Sequence, residues 1–422
     1  MARFRLVALG QALEWAKFRD GADACQPLPP SQDPWYKAPD GFEYRQPGEV
    51  LRIRQAPGNL TKVIGTAAAA INILYRTTDA RKRPSWAVTT LFLPRSFYFS
   101  PSGNAALVSY QFAYNSANLD SSPSIGLYWR MAQENEALGL KSSDAVVIEL
   151  LSRGWVVNAP DYWGPSAAFG ASDQGGRATL DSLRAVLNLA SFTSTGQFNI
   201  GLWAYSGGSI GTMAAAQMQQ QYAPELNIGG VALGGLVDNI AANFSLANKS
   251  PIAGTIAALL LGLTAQFPDA REYLESRLVP ETRARFLSVL DINAADTAVM
   301  FAGKDMFAYF KGGEADLQEP ILQHLYKTQA DVGNRNAPSM PLFLYKAIGD
   351  EYCPVTRTDV TVKKFCDTGA DITFERNTVG EHVAEIENSK PAALQFLSSV
   401  LNESYEWSGC ITRNVTRGKP LP

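Results

Sequence analysis

Two histidines, His324 and His382, are the whole imidazole complement of this 422-residue chain. Chemistry that needs a base titrating near neutral pH therefore has two candidates. A nucleophile for such a base stands at Ser206. The apolar run QFNIGLWAY (197–205) reads as a strand that leads straight into Ser206, and Gly207, Gly208 and a small-residue helical pattern over 209–222 follow. A serine on a sharp strand-to-helix turn presents its hydroxyl at the rim of a sheet. The residues two before and two after it must be small, because strand and helix nearly touch there; here they are Ala204 and Gly208. A rival exists in Gly207-Gly208-Ser209-Ile210-Gly211, which fits G-x-S-x-G letter for letter. The apolar run stops at Tyr205, however, which puts Ser209 in the first helical turn. The bland alternative for Ser206 is a helix N-cap beside a glycine turn.

A serine hydroxyl is a weak nucleophile at neutral pH and needs a base, which in turn needs an orienting carboxylate. On a strand-elbow-helix scaffold the chain order is serine, acid, histidine. His382, in VGEHVAE, falls between the last strand pattern and the last helix pattern. His324, in ILQHLYK, sits in a helical pattern and reads as a partly exposed helix residue. Asp350 follows the apolar run PLFLYKAI through one glycine, with Glu351 as the immediate competitor. Asp359, Asp367 and Asp371 fall in or after the next helix and point elsewhere. The backbone N–H of Gly207, directly after the nucleophile, is the first expected oxyanion donor.

These residues need a framework. Strand-like runs begin at 51, 71, 86 and 105, β-branched and aromatic and separated by turn residues. From 144 the pattern alternates: a helix over 144–153 stopped by Gly154, the strand GWVVNAP, a helix over 175–193, the strand at 197–205, a helix over 209–222 and a strand over 227–235. Such alternation predicts an α/β fold with a mostly parallel central sheet and helices on both faces. Residues 237–335 lack strong strands and read as an inserted helical cap. The sheet resumes at 340 with MPLFLYKAIGD, then a helix, the strand DITFERN and a final helix over KPAALQFLSSVLNES. The domain reading is a core of 1–236 plus 336–422, with an N-terminal arm over 1–48.

Composition bounds the rest. Apolar residues make up 46% and charged residues 18%, which is a large globular core rather than disorder. A net charge of −3 leaves no surplus cation for a nucleic-acid backbone. Two histidines and no C-x-x-C exclude a His-rich metal site or a zinc ribbon, and no cofactor is expected. Four cysteines (Cys25, Cys353, Cys366, Cys410) allow two disulfides; Cys366–Cys410 is the expected one, tying the last helix to the sheet edge. Sequons at Asn59, Asn243, Asn248, Asn402 and Asn414 lean towards secretion. Residues 1–24 read either as a degenerate signal peptide or as a first helix. The uncharged run 250–268, with IAALLLGL, is interrupted by Pro251, Gly254 and Gly262, so it reads as a buried or lid helix rather than a membrane span.

Together AYSGGSIGT, GWVVNAPDYWGPSAAFG with GGRATLDSLRAV after it, SYQF with Asp120-Ser121-Ser122-Pro123-Ser124 downstream, AIGDEYCPV and GEHVAEIENSKPAALQFL resemble the fungal secretory lipases over roughly residues 25 to 410. The resemblance implies an α/β-hydrolase fold with a helical cap and a triad of Ser206, Asp350 and His382. It places Asn115 where those lipases carry an acidic oxyanion residue; an amide donates without needing a proton and should be less sensitive to pH. It puts Ser121 where they carry a cysteine, which leaves the partner of Cys25 open. Tyr205, Tyr162, Trp163 and Phe169 are candidate pocket walls, with packing as the alternative for the aromatics after Asp161. IAALLLGL could line an acyl pocket, cover the site or be cap core. The implied function is a secreted serine carboxylester hydrolase. Its small-molecule substrate is an acylglycerol or an acyl ester of a fungal secondary metabolite, and the cap allows transient contact with a lipid interface. Acyl transfer or other non-hydrolytic chemistry on the same scaffold is the alternative, and a non-catalytic ligand-binding protein the second.

Overall fold

The computed structural model describes residues 27–58, 60–132, 140–189, 196–407 and 409–418. Residues 1–24, Cys25 and Asn59 lie outside the described residues.

Ten strands form one sheet: β1 (Val50–Gln55), β2 (Ala67–Thr78), β3 (Pro84–Pro94), β4 (Ala105–Gln111), β5 (Val156–Pro160), β6 (Phe198–Tyr205), β7 (Ile228–Gly234), β8 (Leu342–Ala347), β9 (Ile372–Asn377) and β10 (Cys410–Val415). Their spatial order is β1-β2-β3-β5-β4-β6-β7-β8-β9-β10. The first three strands and the β3–β5 pair are antiparallel, and every pair from β5–β4 to β9–β10 is parallel. Strands β4, β5 and β8 are buried at every position. Strands without a wet face must be covered on both sides, which is why their sequences run apolar rather than alternating. The helices α1 (Pro123–Ala132), α2 (Leu140–Ser152), α3 (Ser172–Asn188) and α4 (Gly208–Tyr222) supply cover together with α10 (Val355–Cys366) and α11 (Ala384–Leu401).

Between β7 and β8 the chain is helical. It holds α5 (Gly254–Thr264), α6 (Pro268–Arg277), α7 (Pro280–Leu287), α8 (Ala294–Phe301) and α9 (Pro320–Gln329). The apolar run becomes α5, buried at ten of its eleven positions. At 1.5 Å per residue it is about 16 Å long, half of a bilayer's hydrocarbon core. Among the described residues no helix is long and apolar enough to cross a membrane.

Three expectations need correction. The sheet does not end at DITFERN: β10 pairs in parallel with β9, and its side chains are mostly exposed, so it carries no burial pattern to read. Cys366 and Cys410 form the expected disulfide, but it joins the end of α10, not the last helix, to this edge strand. Asn243 is buried, so its sequon is inaccessible in the folded chain, whereas Asn414 lies exposed on β10.

Asp161, at the carboxyl end of β5, anchors the start of α1. Its carboxylate accepts the Ser124 N–H at 2.8 Å and the Ser124 hydroxyl at 2.6 Å, and the Tyr36 hydroxyl donates to Ser124 Oγ at 2.8 Å. Burial pushes the Asp161 carboxyl up from 3.8 to about 7, against the pull of the two Ser124 donors. A carboxyl raised by folding binds protons on folding, so its contribution to stability is greatest below the unfolded value and declines as pH rises through 7. Asp161→Asn cannot ionise. Denaturant melts should show the variant gaining about 3 kcal/mol on the parent between pH 5 and pH 8; an unchanged difference would contradict the assignment.

Candidate active site

Strand β6 delivers Ser206 to the sheet rim in a left-handed backbone conformation, φ +50°. That conformation costs a non-glycine residue about 1 kcal/mol or more, and the neighbourhood must enforce it. It does: the Ser206 N–H donates to Gly234 O at 2.9 Å, and β6 runs directly into α4. A Cβ at Gly208 would lie 2.1 Å from Gln111 O, and one at Gly207 would lie 1.8 Å from Asn115 Oδ1. Only glycines let the turn close against β4 and the loop after it.

Ser206 Oγ lies 2.7 Å from His382 Nε2, and His382 Nδ1 lies 2.8 Å from Asp350 Oδ2. Histidine and aspartate are both buried. The second carboxylate oxygen, Oδ1, accepts the backbone N–H of Cys353 at 2.8 Å and of Tyr352 at 3.1 Å. Burial alone raises the Asp350 carboxyl; the His382 imidazole, the Lys346 charge and the Cys353 N–H outweigh it and hold the carboxyl below its ordinary range. An ionised Asp350 fixes the Nδ1–H tautomer and leaves Nε2 as acceptor for the serine proton.

The rivals have other occupations. Ser209 is buried in the first turn of α4, where its Oγ accepts the Val237 N–H at 3.0 Å. Glu351 accepts the backbone N–H of His382 at 2.8 Å, so it holds the loop rather than the ring. Tyr205 donates its hydroxyl to His382 O at 2.6 Å and clasps the same loop from β6. His324 is exposed on α9. Asp359 pairs with Arg376, and Asp367 with Lys363.

A cavity of about 520 Å³ opens on Ser206, bounded by Asn115, Phe169, Tyr205 and Ile256 among others. Pro29 of the N-terminal arm is part of this wall, and Ser31 fastens the arm by donating its N–H and Oγ–H to Asp120 at 2.8 and 2.7 Å. The Asn115 oxygen is buried against Gly207 without a partner, while its Nδ2 carries no hydrogen bond to any described residue. Tyr162 and Trp163 do not wall the cavity. Both are fully buried behind it, with the Tyr162 hydroxyl donated to Phe112 O and the backbone N–H of Trp163 to the Tyr114 hydroxyl. Their backbone turns them into the core, where the Tyr162 ring meets Trp163 at a tilt and Tyr114 edge to face. Phe169 does reach the cavity.

The sequence reading missed Ser121 and Asn243 as cavity residues with buried, unpartnered side-chain oxygens. Asn243 was legible only as a sequon. Three carboxylates, Asp120, Asp291 and Asp296, line the cavity, and among the described residues no lysine or arginine does. Asp350, Cys353 and His382 place potential ligand atoms within 4.8 Å of one another. The 2.8 Å contact between imidazole and carboxylate is a direct hydrogen bond.

Comparison with known proteins is decisive for the family. The family model described as secretory lipase matches residues 130–409. The chain belongs to the secretory lipase family. Among its relatives, a probable trichothecene esterase of Stachybotrys chartarum is 56% identical, covering 99% of this chain and 87% of the relative. A trichothecene C-3 esterase of Fusarium sporotrichioides is 42% identical, covering 96% and 92%. The crystal structure of Candida antarctica lipase A in its closed state superposes with a TM-score of 0.81 at 24% identity, covering 92% of this chain and 89% of that one, and shares the α/β-hydrolase fold. This secretory lipase family member is thus a serine carboxylester hydrolase by kinship and fold.

Proposed function

We propose that Ser206 is the nucleophile, His382 the general base and then acid, and Asp350 the orienting carboxylate. We further propose a neutral, short-chain acyl ester of an oxygenated fungal secondary metabolite, of the trichothecene kind, as the substrate. Ser206 Oγ attacks the ester carbonyl while its proton passes to His382 Nε2. The oxyanion receives the Gly207 N–H and the unpaired Nδ2 of Asn115. His382 returns the proton to the departing alkoxide, the acyl-enzyme remains on Ser206, and water, activated by the same imidazole, releases the acid. Residues 237–335 act as the cap that shelters these steps.

The observation that carries the substrate class is the polarity of the wall. Asn115, Asn118, Asp120, Ser121 and Asn243 put amide, carboxylate and hydroxyl groups on that wall. A hydroxylated ring system brings donors; a hydrocarbon chain does not. The names of the two trichothecene esterases agree with this reading. The acylglycerol reading draws on the apolar face offered by Ile252, Ile256 and Leu259 of the cap. Release of acetate from a trichothecene C-3 acetate, set beside hydrolysis of trioctanoylglycerol, separates the two. Our reading expects kcat/KM at least a hundredfold higher for the former; the reverse order assigns the protein to acylglycerols.

Charge gives a further expectation. An anionic acyl group would sit near Asp120, Asp291 and Asp296 with no cation to answer it. Like charges at about 8 Å repel by about 2 kcal/mol at an effective dielectric of 20. A 4-nitrophenyl hemisuccinate should be cleaved at least tenfold more slowly than the 4-nitrophenyl butyrate of similar length. Equal rates would remove charge from the selectivity argument.

The oxyanion assignment is tested at Asn115. Asn115→Ala should lower kcat by about 10² with little change in KM. Asn115→Asp should donate only while its carboxyl is protonated, so its residual rate should fall as pH rises. An Asp variant with the parent's pH profile would contradict the role. Secretion is the proposed destination, supported by the family's name, the Cys366–Cys410 disulfide and the exposed sequon at Asn414.

A further inference from the structure

Behind the triad lies a buried cation that the reaction scheme does not use. Lys346, on β8, is 1% exposed. Its ammonium group donates to Leu236 O at 2.8 Å, to Cys353 O at 2.8 Å and to Thr358 Oγ1 at 3.0 Å. Three acceptors for three N–H donors is the arrangement of a charged ammonium. All three acceptors are neutral, although a buried ammonium ordinarily takes a carboxylate partner.

The bonds have a direction. Leu236 follows β7, on the segment whose Val237 N–H meets Ser209 Oγ; Cys353 closes the loop whose N–H groups hold Asp350; Thr358 lies on α10. Lys346 therefore joins the acid-bearing loop to the segment after β7 and to α10. We propose that Lys346 is a positioning residue that acts through Asp350 on His382: it fixes the acid loop, and its positive charge offsets part of the negative charge that Asp350 presents to the imidazole. The proposal rests on the triad assignment above.

The Asp350–His382 pair has other titratable neighbours. From the acid loop come Asp350 itself, Glu351, the Tyr352 phenol and the Cys353 thiol; from the segment after β7, Asp238; from β6 and β8, the Tyr205 and Tyr345 phenols; from the histidine loop and α11, Glu381 and Glu385. These neighbours are anionic or neutral, and each anion favours a protonated imidazole. Lys346 opposes them: its charge lowers both Asp350 and Cys353. Removing that charge should leave His382 easier to protonate.

The test uses the scarcity of histidine. The full-length protein with labelled histidine gives two imidazole signals, and His324→Gln assigns the one from His382. The titration of His382 and the pH dependence of kcat/KM for 4-nitrophenyl acetate are then measured in the parent, Lys346→Gln, Lys346→Met and Thr358→Val. Glutamine keeps donors for two of the three acceptors without the charge, whereas Lys346→Met removes the charge and all three donors. The expected result is a rise of about half to one pH unit in the His382 midpoint for both Lys346 variants, with the acid limb of kcat/KM moving the same way. Thr358→Val, which keeps the charge, should leave the midpoint in place. A uniform loss of rate at every pH with an unmoved midpoint would reduce Lys346 to a structural tie and overturn the proposal, as would no change at all. The nuclear titration does not need turnover. If the parent fails to hydrolyse the ester, the triad assignment fails, and the midpoint comparison still decides the effect of the charge.

Discussion

Ser206→Ala should lose about four to six orders of magnitude in kcat on any ester the parent cleaves, with the fold and the melting temperature nearly unchanged. The hydroxyl at 206 is the only one within hydrogen-bond distance of His382 Nε2 among the described residues. Without it the imidazole has no nucleophile to deprotonate, and the remaining oxyanion donors act only on water. Ser209→Ala is the matched control. It removes an acceptor for the Val237 N–H inside α4, so it should cost about 1–2 kcal/mol of stability and change kcat by less than tenfold. Measuring kcat and melting temperature for both variants checks the assignment. Activity surviving at Ser206→Ala and lost at Ser209→Ala would transfer the nucleophile to the letter-perfect motif.

Asp350→Asn should lower kcat by about 10⁴ at neutral pH. The amide keeps the size of the side chain but presents an N–H where the imidazole Nδ1–H needs an acceptor. Avoiding that clash favours the tautomer with its proton on Nε2, which cannot accept from Ser206. Glu351→Gln keeps a side-chain oxygen for the His382 N–H and should lose less than tenfold. Steady-state kinetics on the two variants side by side distinguish an acid that orients the ring from one that holds the loop; similar losses would mean that both carboxylates orient the base.

The contrast between these pairs shows how far the residues could be read in advance. Ser206 and Ser209 differ in sequence by which one follows an apolar strand, and that difference corresponds to a positive φ at one and a helical turn at the other. Asp350 and Glu351 are adjacent carboxylates after the same strand, and only side-chain direction separates them. Direction also decides the aromatics after Asp161: Phe169 reaches the cavity, while Tyr162 and Trp163 turn into the core. No pattern at the level of sequence encodes that. Strand β10 escaped notice because its exposed residues carry no alternation. The last helix begins at Ala384, about a turn and a half before its proline-marked segment, because Pro391 sits inside it rather than at its start. Lys346 was visible as a charge inside the apolar run PLFLYKAI, a placement that a strand buried on both faces makes unfavourable unless it has a purpose. Asn243 looked like a glycan acceptor until burial placed it in the cavity wall.

The central claim is that Ser206, His382 and Asp350 form one reactive unit. A fluorophosphonate reports it most directly, because it phosphonylates only a serine made nucleophilic by its neighbours. Incubation of the intact protein, followed by peptide mass mapping, should place one phosphonyl group on Ser206, with labelling abolished in His382→Ala. A group found on Ser209, equal labelling without His382, or no labelling of the parent would contradict the account.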